Sequence, residues 1–547
     1  MKPSSFSTIC TEKCAHELVG LLLSLSVFHT GAKIYIIADS KTKQIIDDLT
    51  PIPKLKINWQ VDLDKYTGMD RLQMLRENIF GEFLTYKMKV MHNAIQENPD
   101  TLFLDSDIIV TDIIDDIDPS KSIGLSPQFI TQAHVAKTGY FNAGMLWTSD
   151  KRAIENWRNV IDMKHDCPEQ INMSKIIKGC DYFEFGENYN LQCWRLYLSN
   201  ETSETIASHI TSKPNIGVFY KGKPLKFIHT HFLDKRFDAF NTLLIDHFKN
   251  ARAYKILAII YRVINQNWIL RLPKQPMAGM GGHNNDSYRE MPILLKFANK
   301  DVDIKYDERS IHCWLEPNIL TYDRDTLEHC DQEVARASLF LLGNGDVLVE
   351  GKELGQYLPD LPIQPWIFWP RHPMLVEKLL KKHGILDFND REIGSIFIGN
   401  FENSVQEKYR KTDVDWASAL DEFHCTAGFV KKFTSEEYLM KLRGSKYGLC
   451  LRGYGTKCNR EIELMAFGTV PIVTQEVTVF SYMEPFIENI HFLRASCPEE
   501  VKQRISETSE EKWRAMSNTC YDWYQRNVHS KQAWNTMINR ILYSKEV

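Results

Sequence analysis

The sequence predicts an α/β protein built from two doubly wound units, each a mainly parallel sheet flanked by helices. Three observations predict it. A strand–helix–strand run opens the chain at residues 6–10, 14–28 and 33–38. An apolar strand at 102–110, LFLDSDIIV, carries two carboxylates one residue apart. A strand, a glycine-rich loop, a helix and another strand follow one another through 445–474. Strands alternating with helices favour parallel sheets covered on both faces. The 547 residues exceed the ~250–300 at which one hydrophobic core stops growing, so more than one domain is expected.

Composition narrows the function classes. Hydrophobic residues at 43% and charged residues at 25% are those of an ordinary globular chain, and a net charge of −5 provides no basic field for nucleic acid. The twelve cysteines lack C-x-x-C pairs, and Cys10 and Cys14 have no second pair at zinc-finger spacing. The first residues, MKPSSFSTICTEKC, lack a signal-peptide pattern, and the apolar runs at 18–28 and 251–269 are interrupted by polar or charged residues. A reduced, cytoplasmic protein without a transmembrane segment is expected, with the sequons at Asn172 and Asn200 unused.

In chain order, the first strand ends near Thr8, Thr11 and Glu12, and the second closes at Asp39. Ligands of such sheets sit beyond the carboxyl ends of strands. Residues 71–96 read as one helix bearing Arg76, Lys87 and Lys89, candidate phosphate partners or solvated lysines. Asp105 and Asp107 stand at i and i+2 of an extended segment, so they point the same way. Together they can hold one hard cation, Mn²⁺ or Mg²⁺, on a diphosphate; the alternative is a strand ending in a solvated acidic turn. In TGYFNAGMLWT (138–148), Asn142 and Gly144 mark either a close approach of backbone to ligand or a β-bulge. Residues 182–194 set Glu187, Asn188, Asn190 and Gln192 among aromatics, where polar groups need partners. KFIHTHF (226–232) reads as a strand with His229 and His231 on one face, ligands or satisfied core histidines.

LFLDSDIIV, YFNAGMLW, NYNLQ and FIHTHF, in this order over the first ~240 residues, resemble the GT-A glycosyltransferases of the glycogenin and lipopolysaccharide-galactosyltransferase family. The resemblance implies a Rossmann-like nucleotide-diphospho-sugar transferase domain over 1–238, with Asp105, Asp107 and His229 around Mn²⁺ and a UDP-sugar. It implies Asn142 and Gly144 at the sugar, Asn188, Asn190 and Gln192 near the reacting sugar, and Lys235 on the diphosphate; Asn190, Gln192 and Glu187 are the catalytic candidates. Phe232 stands where the family has glycine after the histidine, and Asn188-Tyr189-Asn190 replaces its D-Q-D. Donor sugar and anomeric outcome stay open.

Residues 238–268 read as amphipathic helix, and 273–288, with its glycines and prolines, as a linker loop, giving a bridge over 239–290. Strands are expected at 292–297, 337–342, 346–349 and 364–369, a helix at 374–382, and a strand at 393–399 leading through a turn to a helix with Lys408 and Arg410. In 445–474, Arg452 and Gly453 open a loop, and the helix that follows carries Arg460 and Glu463. Positive charge at a helix N-terminus suits phosphate. The alternative is an Arg460–Glu463 ion pair on a solvated face. SKYGLCLRGYGTKCNREIELMAFGTVPIVT resembles the nucleotide-binding half of the exostosin-family GT-B glycosyltransferases, with support from FIGNFENSVQEKYR at 397–410. By that resemblance Arg452, Gly453, Arg460 and Glu463 bind a nucleotide-sugar without metal. The first lobe then covers 291–390 and the donor lobe 391–547. His312, Asp346 and His372 are candidate bases. The fusion resembles multidomain glycosyltransferases of large algal DNA viruses. The expected function is a bifunctional glycosyltransferase acting on a glycan acceptor; the alternative is one active domain beside a glycan-binding module.

Overall fold

The computed structural model describes residues 1–547 other than 50, 52, 275–284, 309–312, 323–335, 343–347, 350–351, 354–361, 366, 401–407, 409, 411–412, 427–432, 454–455 and 545–547. The chain divides into two compact units, Met1–Asn267 and Trp268–Val547. Both are mixed α/β with Rossmann-like sheets.

The first unit opens with β1 (Ser5–Cys10), α1 (Ala15–Phe28), β2 (Lys33–Ala38) and β3 (Lys56–Val61). Helix α2 (Phe80–Glu97) leads into β4 (Thr101–Leu104) and β5 (Ile108–Val110). Then come β6 (Ile123–Pro127), β7 (Phe141–Thr148), β8 (Tyr182–Glu184), β9 (Leu191–Gln192) and β10 (Phe227–His229). Seven strands form one sheet in the order β3-β2-β1-β4-β7-β6-β8. Strands β3, β2, β1 and β4 run parallel, and β7 runs against β4. Strand order therefore reverses between β1 and β4, and a crevice at a strand order reversal is where such sheets bind ligands.

A small second sheet assembles the site. In it β10 lies between β5 and β9, with His229 opposite Ile108 on one side and Gln192 on the other. Three sequence-distant motifs are thereby joined by backbone pairing.

Helix α1 is apolar nearly all round and is buried on most of its surface, with Leu18, Leu21, Leu22 and Leu25 fully covered. Burial of each such leucine contributes roughly 1.5–3 kcal/mol. A Cβ on Gly20 would lie 2.8 Å from Val263 of helix α4 (Tyr254–Asn265), so only glycine permits this helix approach. Helix α3 (Asp238–Asn250) precedes it, and the two replace the single helix read over 238–268. The helix read at 71–96 is also two, Arg71–Arg76 and α2, broken at Asn78, which takes a left-handed φ of 56°.

Among the described residues, the second unit contains two larger sheets and a two-stranded pairing of Leu348–Val349 with Lys352–Glu353. Strands β11 (Trp268–Pro273), β12 (Val302–Asp307), β13 (Trp314–Leu315), β14 (Ile319–Tyr322), β15 (Leu339–Leu342) and β16 (Ile363–Pro365) form the first, in the order β12-β11-β13-β14-β15-β16. The strand read at 292–297 is instead part of helix α5 (Asn285–Ala298). Met291 and Leu295, both fully buried, fall one helical turn apart, and that period overrides the apolar run. The loop read at 273–288 falls mostly on 275–284, outside the described residues. Helix α6 (Pro373–His383) then precedes the second sheet.

That sheet has β17 (Ile393–Asn400), β18 (Glu422–Thr426), β19 (Ser445–Cys450), β20 (Val470–Val473) and β21 (Leu493–Arg494), all parallel, in the order β18-β17-β19-β20-β21. Strand order reverses between β17 and β19. Helices α7 (Ser435–Arg443), α8 (Asn459–Ala466) and α9 (Glu510–Asn527) accompany it. Among the described residues no helix is long and apolar enough to cross a membrane, and the eleven described cysteines are free thiols.

Candidate functional site

Asp105 and Asp107 follow β4, at the strand order reversal of the first unit. One ligand atom each from Asp105, Asp107 and His229 lie within 4.8 Å of one another, a spacing a single cation can bridge. His229 Nε2 is 3.3 Å from Asp107 Oδ1 and 4.0 Å from Asp105 Oδ2. Its other nitrogen, Nδ1, is 3.2 Å from Asn190 Oδ1, which can only accept. That bond calls for an N–H on Nδ1 and turns Nε2 toward the carboxylates, the nitrogen a metal-binding histidine would use. Although burial pushes it up, the His229 and His231 imidazoles hold the Asp107 carboxyl well below the usual carboxylate range. Burial, opposed by Lys87, raises Asp105.

Each side chain of the cluster is supported. Lys87 Nζ lies 2.9 Å from Asp105 Oδ1 and 3.4 Å from Glu169, and donates to the Ala143 carbonyl at 3.3 Å. Asn190 in turn donates to Ser126 Oγ at 3.0 Å. Asn142 Oδ1 accepts from the Gly144 N–H at 2.9 Å, and its amide donates to Gln192 Oε1 at 3.1 Å. Gln192 donates to the Gln128 carbonyl.

Gly144 shows how closely the site is built. A Cβ there would lie 2.5 Å from His229 Cε1, 2.6 Å from Asp105 Oδ2 and 2.9 Å from Asn142 Oδ1. The backbone approaches the Asp105, Asn142 and His229 side chains to contact, leaving no room for a side chain at this position. Two hard carboxylates plus an imidazole whose Nε2 faces them fit Mn²⁺, and Mg²⁺ less well because of the nitrogen. Gly144→Ala should therefore displace Asp105 and His229 without removing either. The expected result is a loss of Mn²⁺ affinity of about 100-fold with an unchanged circular dichroism spectrum. Wild-type Mn²⁺ titration by this variant would overturn that account.

Other predicted residues take separate places. Thr8 is buried within β1, its Oγ1 without a hydrogen-bond partner, and Thr11 lies just beyond the strand. Asp39 ties this edge together, accepting from the N–H groups of both Glu12 and Thr42. Lys235 is exposed, in a short 3-10 turn. Glu187 is engaged away from the Asp105–Asp107–His229 cluster, by Arg195 at 3.1 Å and Lys221 at 2.7 Å. Asn188 donates to the Pro224 carbonyl. Sequence reasoning left Lys87 undecided and missed Glu169. The signal for Lys87 was its place among Leu84, Met88 and Met91 on the buried stripe of α2.

In the second unit, Arg452, Gly453 and Arg460 gather at the carboxyl ends of β17 and β19, again at the strand order reversal. The solvated-face alternative fails, because Arg460 and Glu463 are both buried and have different partners. Arg460 Nη2 donates to the Ile398 carbonyl at 2.7 Å and its guanidinium lies 4.6 Å from the Phe397 ring centre, while Nε and Nη1 are buried without a hydrogen-bond partner. Arg410 Nε donates to the Arg452 carbonyl, and burial together with the Arg460 charge pushes Arg410 down to about 10. A Cβ on Gly453 would lie 2.8 Å from Cys458 Sγ. Glu463 accepts the Arg371 N–H at one oxygen and the Tyr438 hydroxyl at the other, at 3.0 and 2.7 Å. Burial raises Glu461 to about 7. His372 Nε2 is 3.1 Å from Ser435 Oγ, and His312 and Asp346 lie outside the described residues.

No family model matches the chain, and no curated protein matches it. Among solved structures it is similar to the galactosyltransferase LgtC in complex with donor and acceptor sugar analogs, at 13% identity over 46% of this chain and 95% of that one, with a TM-score of 0.27. It is also similar to mouse xyloside xylosyltransferase 1, at 11% identity over 41% and 96% and a TM-score of 0.26. The glycosyltransferase GlyE of Streptococcus pneumoniae matches at 11% identity over 92% and 98%, with a TM-score of 0.27. At these TM-scores none of the likenesses defines an activity.

Proposed function

We propose that the first unit is a metal-dependent glycosyltransferase that takes a sugar from a nucleotide-diphospho-sugar, a UDP-sugar by preference, and passes it to a glycan acceptor. The observation that carries this reading is the Asp105–Asp107–His229 cluster at the strand order reversal, with Gly144 pressed against it. These three residues would hold Mn²⁺. When bound, the ion neutralises charge developing on the leaving diphosphate. Lys87 fixes Asp105, and Asn190 fixes the His229 tautomer. Gln192 holds Asn142, which lines the sugar side with Gly144. Thr8 and Thr11 mark the nucleotide side, and the exposed Lys235 can reach a phosphate. Asn190 and Gln192 thus act through their neighbours.

The second unit, in this proposal, binds a second nucleotide-sugar without metal, as GT-B enzymes do. Its support is the group of buried arginines at a strand order reversal, where Arg460 Nε and Nη1 have no hydrogen-bond partner among the described residues. Glu463 then orients Tyr438 and the Arg371 backbone. The test is a nucleotide-sugar turnover screen on the full chain, with Mn²⁺ and with a chelator. Mn²⁺-dependent turnover and a separate chelator-resistant turnover are expected. Arg460→Ala removes a charge-assisted hydrogen bond of ~1.5–3 kcal/mol, so the second activity should weaken roughly tenfold to hundredfold while the first is unchanged. Unchanged turnover of every donor by Arg460→Ala would make the second unit a non-catalytic module.

A further inference from the structure

Glu17 is a buried carboxylate for which the proposed reaction has no use. It sits in the first turn of α1, 6% exposed. Burying a carboxylate costs several kcal/mol unless it is paired. Its Oε1 lies 3.3 Å from His231 Nδ1. The same nitrogen lies 3.3 Å from Asp107 Oδ2, whereas Asp107 Oδ1 faces His229 Nε2. The two oxygens of Asp107 therefore have different neighbours, and one imidazole nitrogen is hydrogen-bonded to Glu17 and within ion-pair distance of Asp107. Phe237 and Trp194 pack against the His231 ring, with centroids at 5.9 and 6.4 Å, and limit its rotation.

We propose that Glu17 and His231 are positioning residues for the metal site: Glu17 sets the His231 imidazole, and His231 holds Asp107 Oδ2 so that Oδ1 is presented beside His229. The relay rests on the metal reading of the first unit. A carboxylate that turns freely offers a cation either oxygen or both; one held at Oδ2 offers a single, aimed oxygen. Partners one bond behind a ligand commonly change metal affinity 10–100-fold when removed.

The experiment is Mn²⁺ binding by the full chain without nucleotide-sugar, read from the paramagnetic resonance of free ion. The nitrogen modulation of the bound ion counts imidazole ligands. Wild type should show one coupled imidazole, lost in His229→Ala and retained in Glu17→Ala. Glu17→Ala and His231→Ala should each bind Mn²⁺ about 10–100-fold more weakly. Glu17→Gln, which keeps an acceptor oxygen for the imidazole, should bind near the wild-type affinity. If Glu17→Ala does not fold, His231→Ala, at a side chain one-third exposed, carries the test. Two coupled imidazoles in wild type would make His231 a ligand and overturn the relay. Wild-type affinity in a folded Glu17→Ala or in His231→Ala would overturn it too. A wild type that binds no Mn²⁺ would overturn the metal reading and the relay together.

Discussion

Under the proposed metal-dependent reading, Asp107→Ala should abolish Mn²⁺-dependent donor turnover, with a loss of about 10³-fold or more. The size follows from what the residue does. Lewis-acid stabilisation of a leaving phosphate is worth several kcal/mol, and each 1.36 kcal/mol is tenfold in rate. Asp107 is the carboxylate both imidazoles face, so its loss leaves the cation only Asp105 and the His229 imidazole. Binding provides a second readout. A ligand at about 100 times its Kd stabilises the native state by about 2.7 kcal/mol. Added Mn²⁺ with nucleotide diphosphate should raise the first unit's melting temperature in wild type and leave Asp107→Ala unmoved. Asp107→Asn, which keeps the shape and loses the charge, should behave like the alanine variant. Equal turnover in wild type and Asp107→Ala would refute the cluster as a metal site.

Much of this site was legible before any coordinates. The βαβ opening and an apolar strand leading to two carboxylates were readable from local rules, but the single strand read at 102–110 is two, β4 and β5, and Asp105 and Asp107 lie in the turn between them, so the turn and not strand alternation brings both carboxylates to His229. The partners were not legible, because long-range pairing supplies them. Strand β10 meets β5 and β9 across more than a hundred and about forty residues of chain, and nothing near His229 announces that Asn190 will set its tautomer. Glu17 reads as an ordinary first-turn acid of α1 until His231 arrives beside it. Glu463 shows the converse. A helix face with Arg460 and Glu463 one turn apart suggested a donor contact or an ion pair between the two, yet Arg371 and Tyr438 take the Glu463 oxygens. At 292–297 the apolar run hid a helical period, which only Met291 upstream reveals.

The largest expected loss of stability is at Arg391, outside either site. Its guanidinium donates to the carbonyls of Leu386, Arg443, Ser445 and Phe467 and to Thr469 Oγ1, with its carbon 4.9 Å from the Trp513 ring centre. Arg443 and Phe467 are the terminal carbonyls of α7 and α8, where a cation is favoured by the helix dipole. Arg391→Ala leaves these buried acceptors without a donor, at a cost of about 3–5 kcal/mol. Urea denaturation followed by circular dichroism should show the second unit's transition moving to lower denaturant. Arg391→Lys should recover only part of the loss, because one ammonium cannot span acceptors that a planar fork reaches. The effect should also reach the ligand side. Arg391 pins the start of β19 and the end of α8, whose opposite ends carry Arg452 and Arg460. Metal-independent donor turnover should therefore fall well below the unfolding temperature, while Mn²⁺-dependent turnover by the first unit stays at its wild-type rate. A stability change under about 1 kcal/mol would show that water satisfies those carbonyls and that Arg391 is not their anchor.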